Sequence, residues 1–335
     1  MTGAVTVAAT ATATATAATG SRPLPGSRRA PFAATLLLAG LAAVCAAVVP
    51  APAAGRDAEP RLRLGVRCDA PPFSYVDVPN GGTCDAAVLA ANEPRGYMVD
   101  LCVQALKRLG RRYDFVPVTA KTRLASLAGT REDAAAGKGE SGGTVDILCE
   151  PTTINLTRID GGYGFSQIVF LSGTSYLYRP DVAVARGSGR IDIRYLRGTT
   201  AEGPANELKS RLQHRFGTES KAAIEVSGVD SHHEGVGQVC SGEIAYYVGD
   251  KDILAAMARR TTGCKALPSN VFFSIEPYAV AVSPARPDLL VQLQGAIYHL
   301  FSDGTVRAIF HANFGRDAQM SPLLEAMMKI AALPE

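Results

Sequence analysis

Once its first 54 residues are set aside, the sequence has no charge imbalance. Those residues hold Arg22, Arg28 and Arg29 and no acid, so of 34 basic and 31 acidic residues the remainder keeps 31 of each. A neutral body argues against nucleic acid or an anionic membrane surface as partner. Catalytic and cofactor patterns are missing as well. No Cys-x-x-Cys or Cys/His spacing suggests zinc, no phosphate loop is present, and no Ser-His-Asp arrangement stands out, so neither a metal nor another cofactor is indicated. Beyond residue 54 no segment reaches the roughly 20 apolar residues that a membrane helix needs. Charged residues make up 19% and hydrophobic ones 47%, which excludes a disordered chain. A chain of 335 residues has room for two domains.

What the first 54 residues do contain reads as an export signal. An Ala/Thr run leads to Arg28 and Arg29, an apolar segment follows to Val49, and Ala51-Pro52-Ala53 suits cleavage near residue 54. Pro50 and Pro52 end the apolar stretch early. The expected product is soluble, monomeric and periplasmic. Beyond Cys45 there are six cysteines, an even number, and an oxidising compartment favours disulfides. Pairs that join neighbouring elements would be Cys68–Cys84, Cys102–Cys149 and Cys240–Cys264, with buried free thiols as the alternative.

Along the chain, RLRLGVR (61–67) reads as a strand closed by the turn Cys68 to Pro72, and Phe73 to Arg95 as a long loop rich in Pro, Gly and Asn. Gly96-Tyr97 opens a helix with Val99, Cys102, Val103, Leu106 and Leu109 at helical spacing, ended by Gly110. A strand at 113–118, a short helix at 122–129 and a Gly-rich loop at 137–143 follow. The next stretch, VDILCEPTTINLTR (145–158), reads as a short apolar strand running into a polar turn. That turn gathers Thr152, Thr153 and Arg158, and hydroxyls, backbone N–H groups and a guanidinium on one rim suit capture of a carboxylate. A capped loop with a surface arginine is the plainer reading.

A second block repeats the grammar: a Gly-Thr-Thr junction (198–200), a helix from about Pro204, strands at 222–227 and 243–249 around a short helix, and a helix capped by Asp250. Two long strand-like segments, 165–179 (followed by VAVAR, 182–186) and 269–283, flank this block, and helices at 289–301 and 306–314 precede a tail at 321–332. Alternating strands and helices predict parallel sheets covered on both faces. The flanking segments predict two crossings between lobes, near 172–178 and 272–279, with a cleft outside the carboxyl ends of the strands.

Ordered motifs then carry a family resemblance. GVRCDAPPFSY, GYMVDLC, VPVTAKTR, VDILCEPTTINLTR, FSQIVFLSGT, GTTAE, CSGEIAYYVGD, EPYAVAV and FSDGTVRAIFHANFG resemble, in that order, the periplasmic solute-binding proteins of polar amino-acid ABC transporters (family 3). Within them the likeness is to the glutamate/aspartate-binding branch. The resemblance implies an α/β fold of the two-lobe periplasmic-binding-protein type II (Venus-flytrap) kind with two hinge crossings. Residues 59–173 plus 278–335 would form lobe 1 and 174–277 lobe 2, after a signal peptide of residues 1–54. It implies a binding protein rather than an enzyme, handing an amino acid to an ABC permease in the inner membrane.

Carried over position by position, Arg158 with Thr152 and Thr153 would hold the ligand's α-carboxylate and amino group. Thr199 and Thr200 would add a helix N-terminus that favours an anion. Asp250 would receive the α-ammonium, N-capping of its own helix being its rival role. Arg67, Arg123 and His232 match side-chain contacts of the acidic branch. Ala120 and Pro151 stand where that branch has serines, and Glu150 where it has a glycine. The alternative is a periplasmic prephenate/arogenate (cyclohexadienyl) dehydratase on the same fold, with Glu150 as general acid.

Overall fold

The computed structural model describes residues 59–77, 84–128, 145–185, 189–216 and 223–332. The expected export signal, the Gly-rich loop at 137–143 and the loop tip at 78–83 lie outside the described residues. Among the described residues no helix is long and apolar enough to cross a membrane.

The first strand, β1 (Leu62–Val66), buries Leu62, Leu64 and Val66 and leads into a two-stranded ribbon of β2 (Asp69–Ala70) and β3 (Ser74–Tyr75). The expected loop from Phe73 to Arg95 is therefore partly ordered, and it also contains helix α1 (Ala86–Ala91), capped by the Asp85 side chain. Helix α2 (Tyr97–Arg108) starts where the spacing predicts. Gly96 precedes it with φ 123°, and a Cβ there would lie 2.4 Å from the Phe73 carbonyl. That close approach lets Pro72 and Phe73 carbonyls accept the Tyr97 and Met98 N–H groups, which a helix end cannot satisfy by itself. Strand β4 (Tyr113–Pro117) and helix α3 (Arg123–Ala128) follow, then β5 (Ile147–Thr153).

β1 lies between β4 and β5, parallel to both. β5 differs from expectation in one respect: the strand does not end before the threonines. All seven of its residues are buried, and Tyr278 and Ala279 pair with Thr153 and Thr152. The polar residues stay in the strand because a neighbouring strand supplies their ladder partners. Only then does Asn155 cap helix α4 (Leu156–Asp160), accepting the Arg158 N–H with its side chain.

The segment expected as one long strand at 165–179 is split into β6 (Gly164–Phe165) and β7 (Phe170–Tyr178). VAVAR belongs not to a strand but to helix α5 (Pro180–Ala185), as far as residue 185. Beyond it come β8 (Arg190–Leu196), α6 (Glu202–Phe216), β9 (Ala223–Val229), α7 (His232–Ser241), β10 (Tyr246–Asp250) and α8 (Lys251–Arg260). A short β11 (Leu267–Pro268) precedes β12 (Ser274–Val282), and α9 (Pro287–Ser302), α10 (Thr305–Phe314) and α11 (Pro322–Ala331) finish the chain.

The main sheet runs β4-β1-β5-β12-β7-β10-β8-β9. β12 and β7 are antiparallel, from Ser274 opposite Thr174 to Tyr278 opposite Phe170, so the two crossings lie side by side. This is the two-lobe α/β arrangement that the motifs imply. An aromatic cluster anchors the crossing: Phe73 packs edge-on against Phe170 at 4.8 Å and Tyr278 at 5.1 Å, and Tyr97 Oη donates to the Val169 carbonyl at 2.7 Å. Three disulfides form, Cys68–Cys84, Cys102–Cys149 and Cys240–Cys264, the pairs expected from neighbouring elements.

Candidate ligand-binding site

The carboxyl ends of β1, β5 and β10 and the starts of α6 and α7 meet around one cavity. It is lined by Arg67, Arg123, Thr153, Thr199, Thr200, His232 and Asp250, together with Pro151, Leu196, Ala201, Gly249 and Ile253. Its free space leaves about 10 Å³ for the centre of a water molecule, room for about one water. The lining side chains therefore nearly fill their own cleft. Across it, Gly198 (φ 76°) sits so close that a Cβ would lie 2.6 Å from the Ala120 carbonyl oxygen.

At one end two buried arginines meet two carboxylates. Arg67, which follows β1, donates from Nε to Asp69 Oδ1 at 2.9 Å, and its Nη2 lies 2.7 Å from the same oxygen. Arg123, the first residue of α3, donates from Nη1 to Glu150 Oε2 at 2.6 Å and to the Pro151 carbonyl at 3.1 Å; its Nη2 reaches the Gly198 carbonyl at 3.3 Å. Thr152 Oγ1 donates to the other oxygen of Glu150. Burial raises Asp69, but Arg67 and His232 outweigh it and hold the carboxyl down at about 2. His232 donates its backbone N–H to Asp69 Oδ2 at 3.1 Å, and its Nδ1 lies 2.9 Å from Tyr247 Oη. Burial and the Arg67 guanidinium push the imidazole down to about 3, so His232 is neutral at physiological pH.

The other end is arranged differently. Arg158 donates from Nη1 to the Thr153 carbonyl, closing the turn from β5 into α4. Burial and Arg123 lower its guanidinium to about 10. Asp250 ends β10 and stands at the N-terminus of α8, yet its side chain makes no capping bond. Its Oδ2 accepts from Tyr278 Oη at 2.5 Å and its Oδ1 lies 3.5 Å from Thr174 Oγ1. Burial and the neighbouring Glu276 raise it to about 6. Glu276, on β12, is wrapped by hydroxyls. Thr153 Oγ1 and Thr200 Oγ1 donate to its Oε2 at 2.7 and 2.9 Å, and Thr174 and Ser274 to its Oε1 at 3.0 and 2.6 Å.

Of the nine residues singled out in the sequence, seven line the cavity. Thr152 and Arg158 do not; they lie behind it, against Glu150 and the Thr153 carbonyl. Thr199 turns its hydroxyl to the Leu196 carbonyl and accepts the Ala201 N–H, while Thr200 points to Glu276. Sequence reasoning missed Asp69, Glu276 and Tyr278. The signals were present, since Asp69 is two residues from Arg67 and Glu276 and Tyr278 stand in the EPY of the return strand. A lone acid in a strand carries no sign of its partner until the strand is placed. Among the described residues no group of acids, cysteines and histidines could hold a metal ion.

No curated protein gives a significant sequence match. An ancestral arginine-binding protein solved with glutamine bound has a TM-score of 0.56 at 21% identity, covering 76% of this chain and 98% of its own. The ancestral amino acid-binding protein AncCDT-1, a precursor of cyclohexadienyl dehydratase, gives 0.53 at 23%, covering 76% and 95%. The GluR0 ligand-binding core, solved with L-glutamate, gives 0.54 at 16%, covering 76% and 99%. These likenesses bear on the fold. The model of bacterial extracellular solute-binding proteins, family 3, matches residues 62–316, and the chain belongs to that family.

Proposed function

We propose that the protein captures one amino acid between its lobes and hands it to an ABC permease. Lobe 1 would comprise residues 59–173 with 278–335, and lobe 2 residues 174–277. The observation that carries this reading is the convergence of complementary groups for both α-substituents on one cavity. The Thr199–Thr200 turn before α6 supplies a helix N-terminus for a carboxylate, with Arg158 behind the cavity, and Asp250 supplies a carboxylate for an ammonium. Asp250 makes no capping bond to its helix, which leaves it available for that role. Binding free energy would shift an open–closed equilibrium, and the closed form would dock on the permease.

The glutamate/aspartate form of this reading would draw on Arg67, Arg123 and His232 at the side-chain end; all three line the cavity, but both arginines already hold a carboxylate and His232 is neutral. The dehydratase alternative has only the likeness to AncCDT-1, which bears on the fold. Glu150, its expected acid, is fully buried against Arg123 and Thr152 and is not among the lining residues. A thermal-shift screen against the common amino acids tests the binding reading. A ligand at 100 times its dissociation constant adds about 2.7 kcal/mol of stability. A melting temperature unmoved by every amino acid would sink it.

A further inference from the structure

We infer that Asp69 and Glu150 set the side-chain preference of this pocket, reserving it for an amino acid whose side chain is polar and uncharged. The inference rests on the amino-acid-binding reading above and names the ligand class within it.

The charges carry the first part of the case. Arg67 and Arg123, only 2% and 3% exposed, are the cations that would receive a second ligand carboxylate, and each already has a carboxylate within 2.7 Å. Neither Asp69 nor Glu150 lines the cavity, and each offsets the charge of the guanidinium it touches. Glu150 has no exposed surface. If Arg123 turned toward a ligand anion, Glu150 would keep only the Thr152 hydroxyl, and a buried carboxylate stripped of its cation is strongly unfavourable. Asp69 would likewise be left with the His232 backbone N–H. Over the whole site, Arg67, Arg123 and Arg158 face Asp69, Glu150, Asp250 and Glu276, while His232 is neutral. One negative charge is in excess before any ligand enters. A dicarboxylic amino acid adds to that excess.

The hydrogen-bond inventory carries the second part. Arg123 Nε is buried and has no hydrogen-bond partner, and Arg67 Nη2 has only the Asp69 oxygen 2.7 Å away that it shares with Nε. Buried donors without acceptors are costly, and both side chains face the cavity. An amide or hydroxyl oxygen would take these N–H groups without bringing a charge that must be desolvated. A cationic side chain would offset the excess charge but accepts no hydrogen bond from these N–H groups.

Calorimetry on ligand-stripped protein tests this with L-glutamine and L-asparagine, L-glutamate and L-aspartate, and L-lysine and L-arginine. The amides should bind at least about tenfold more tightly than the acids and the bases. Glu150→Gln should then raise glutamate affinity relative to glutamine about tenfold, because the charge of Arg123 is released. Asp69→Asn should act the same way through Arg67, and serves if the first variant does not fold. A purely structural role for these acids would weaken all ligands alike and leave the ratio unmoved. Acids or bases bound as tightly as the amides, or an unchanged ratio in the folded variants, would overturn the inference while leaving the amino-acid reading intact. No binding of any amino acid would overturn both.

Discussion

At the side-chain end of the cavity each arginine has a carboxylate of its own, Arg67 with Asp69 and Arg123 with Glu150. At the other end Arg158, Asp250 and Glu276 are charged neighbours with no ion pair among them. There the acids are held by hydroxyls, four on Glu276 and the Tyr278 phenol on Asp250, and the arginine by a backbone carbonyl. Neutral dipoles stabilise a buried charge less than an opposite charge does. The unpaired end therefore gains most when a zwitterion brings an ammonium and a carboxylate, and the paired end gains least from any further charge. The same fold holds both kinds of environment a few residues apart, since Glu150 and Thr153 belong to one strand.

The largest effect expected from breaking this contrast is on Arg158. Arg158→Ala should weaken amino-acid binding by about 4 kcal/mol, near a thousandfold, because the ligand carboxylate loses the site arginine that has no carboxylate of its own. Arg67→Ala should act mainly on stability, since it strands Asp69 instead. Equal losses of affinity in the two variants, measured by calorimetry, would erase the distinction between the ends.

A next step down concerns the strand that both ends share. Cys149 precedes Glu150 on β5 and ties it to Cys102 on α2, across a separation of 47 residues. Replacing both cysteines by serine should cost about 3 kcal/mol of folding stability in urea unfolding. Ligand preference should be preserved, because the disulfide fixes where β5 lies and not which charges it carries. A variant with native stability but altered preference would contradict that separation of roles.

Much of the fold was legible in the sequence, and the site less evenly so. Helix α2 announced itself through Val99, Cys102 and Leu106 at helical spacing, and the two crossings through long β-branched segments around an α/β block. Residues 152–153 misled because Thr-Thr after an apolar run has the composition of a turn. Only the pairing of Tyr278 and Ala279 with them makes them strand. Arg67 and Arg123 were found only because the motifs GVRCDAPPFSY and VPVTAKTR place them on side-chain contacts of the family they resemble. Their neutralisation by Asp69 and Glu150 was not, although Glu150 had been noted as an acid in place of a glycine. Charge pairing depends on side-chain direction, which alternation along a strand gives only once the strand's faces are known. Glu276 was missed for a further reason: its four hydroxyl partners come from four separate places in the chain.

Asp250 offers a sharper probe of the unpaired end, worth about 1.4 kcal/mol per pH unit. Its carboxyl is raised from 3.8 to about 6 by burial and Glu276. A raised acid contributes stability that is present below its unfolded value and lost as pH rises through its folded value. With respect to this group, the unliganded protein should become less stable between about pH 4 and pH 6. Ligand affinity should run the other way. An ammonium needs the ionised carboxylate, so binding should weaken by up to about tenfold for each unit below pH 6 and release a proton there. Asp250→Asn should flatten both profiles in calorimetry and thermal melts. Parallel slopes for stability and affinity would show that Asp250 is not the ammonium partner.

The smallest effect should come from the hydroxyls around Glu276. Thr153 and Thr200, which belong to different lobes in the proposed division, donate to the same oxygen of this carboxylate, so it joins the walls of the cleft through neutral donors. Thr200→Val keeps the shape of the side chain but removes one donor, at a cost of about 1 kcal/mol. Because this bond steadies the Glu276 oxygen that Thr153 holds from lobe 1, the cost should fall on closure. The expected result is about fivefold weaker amino-acid binding and a larger radius of gyration for the unliganded protein in solution scattering. Global unfolding should change little. Thr200→Ser restores the hydroxyl without the methyl group and should recover most of the affinity. If valine and serine at position 200 behave alike, the packing of the methyl and not the bond to Glu276 steadies that link, and the unpaired end would owe its closure to contact instead of charge.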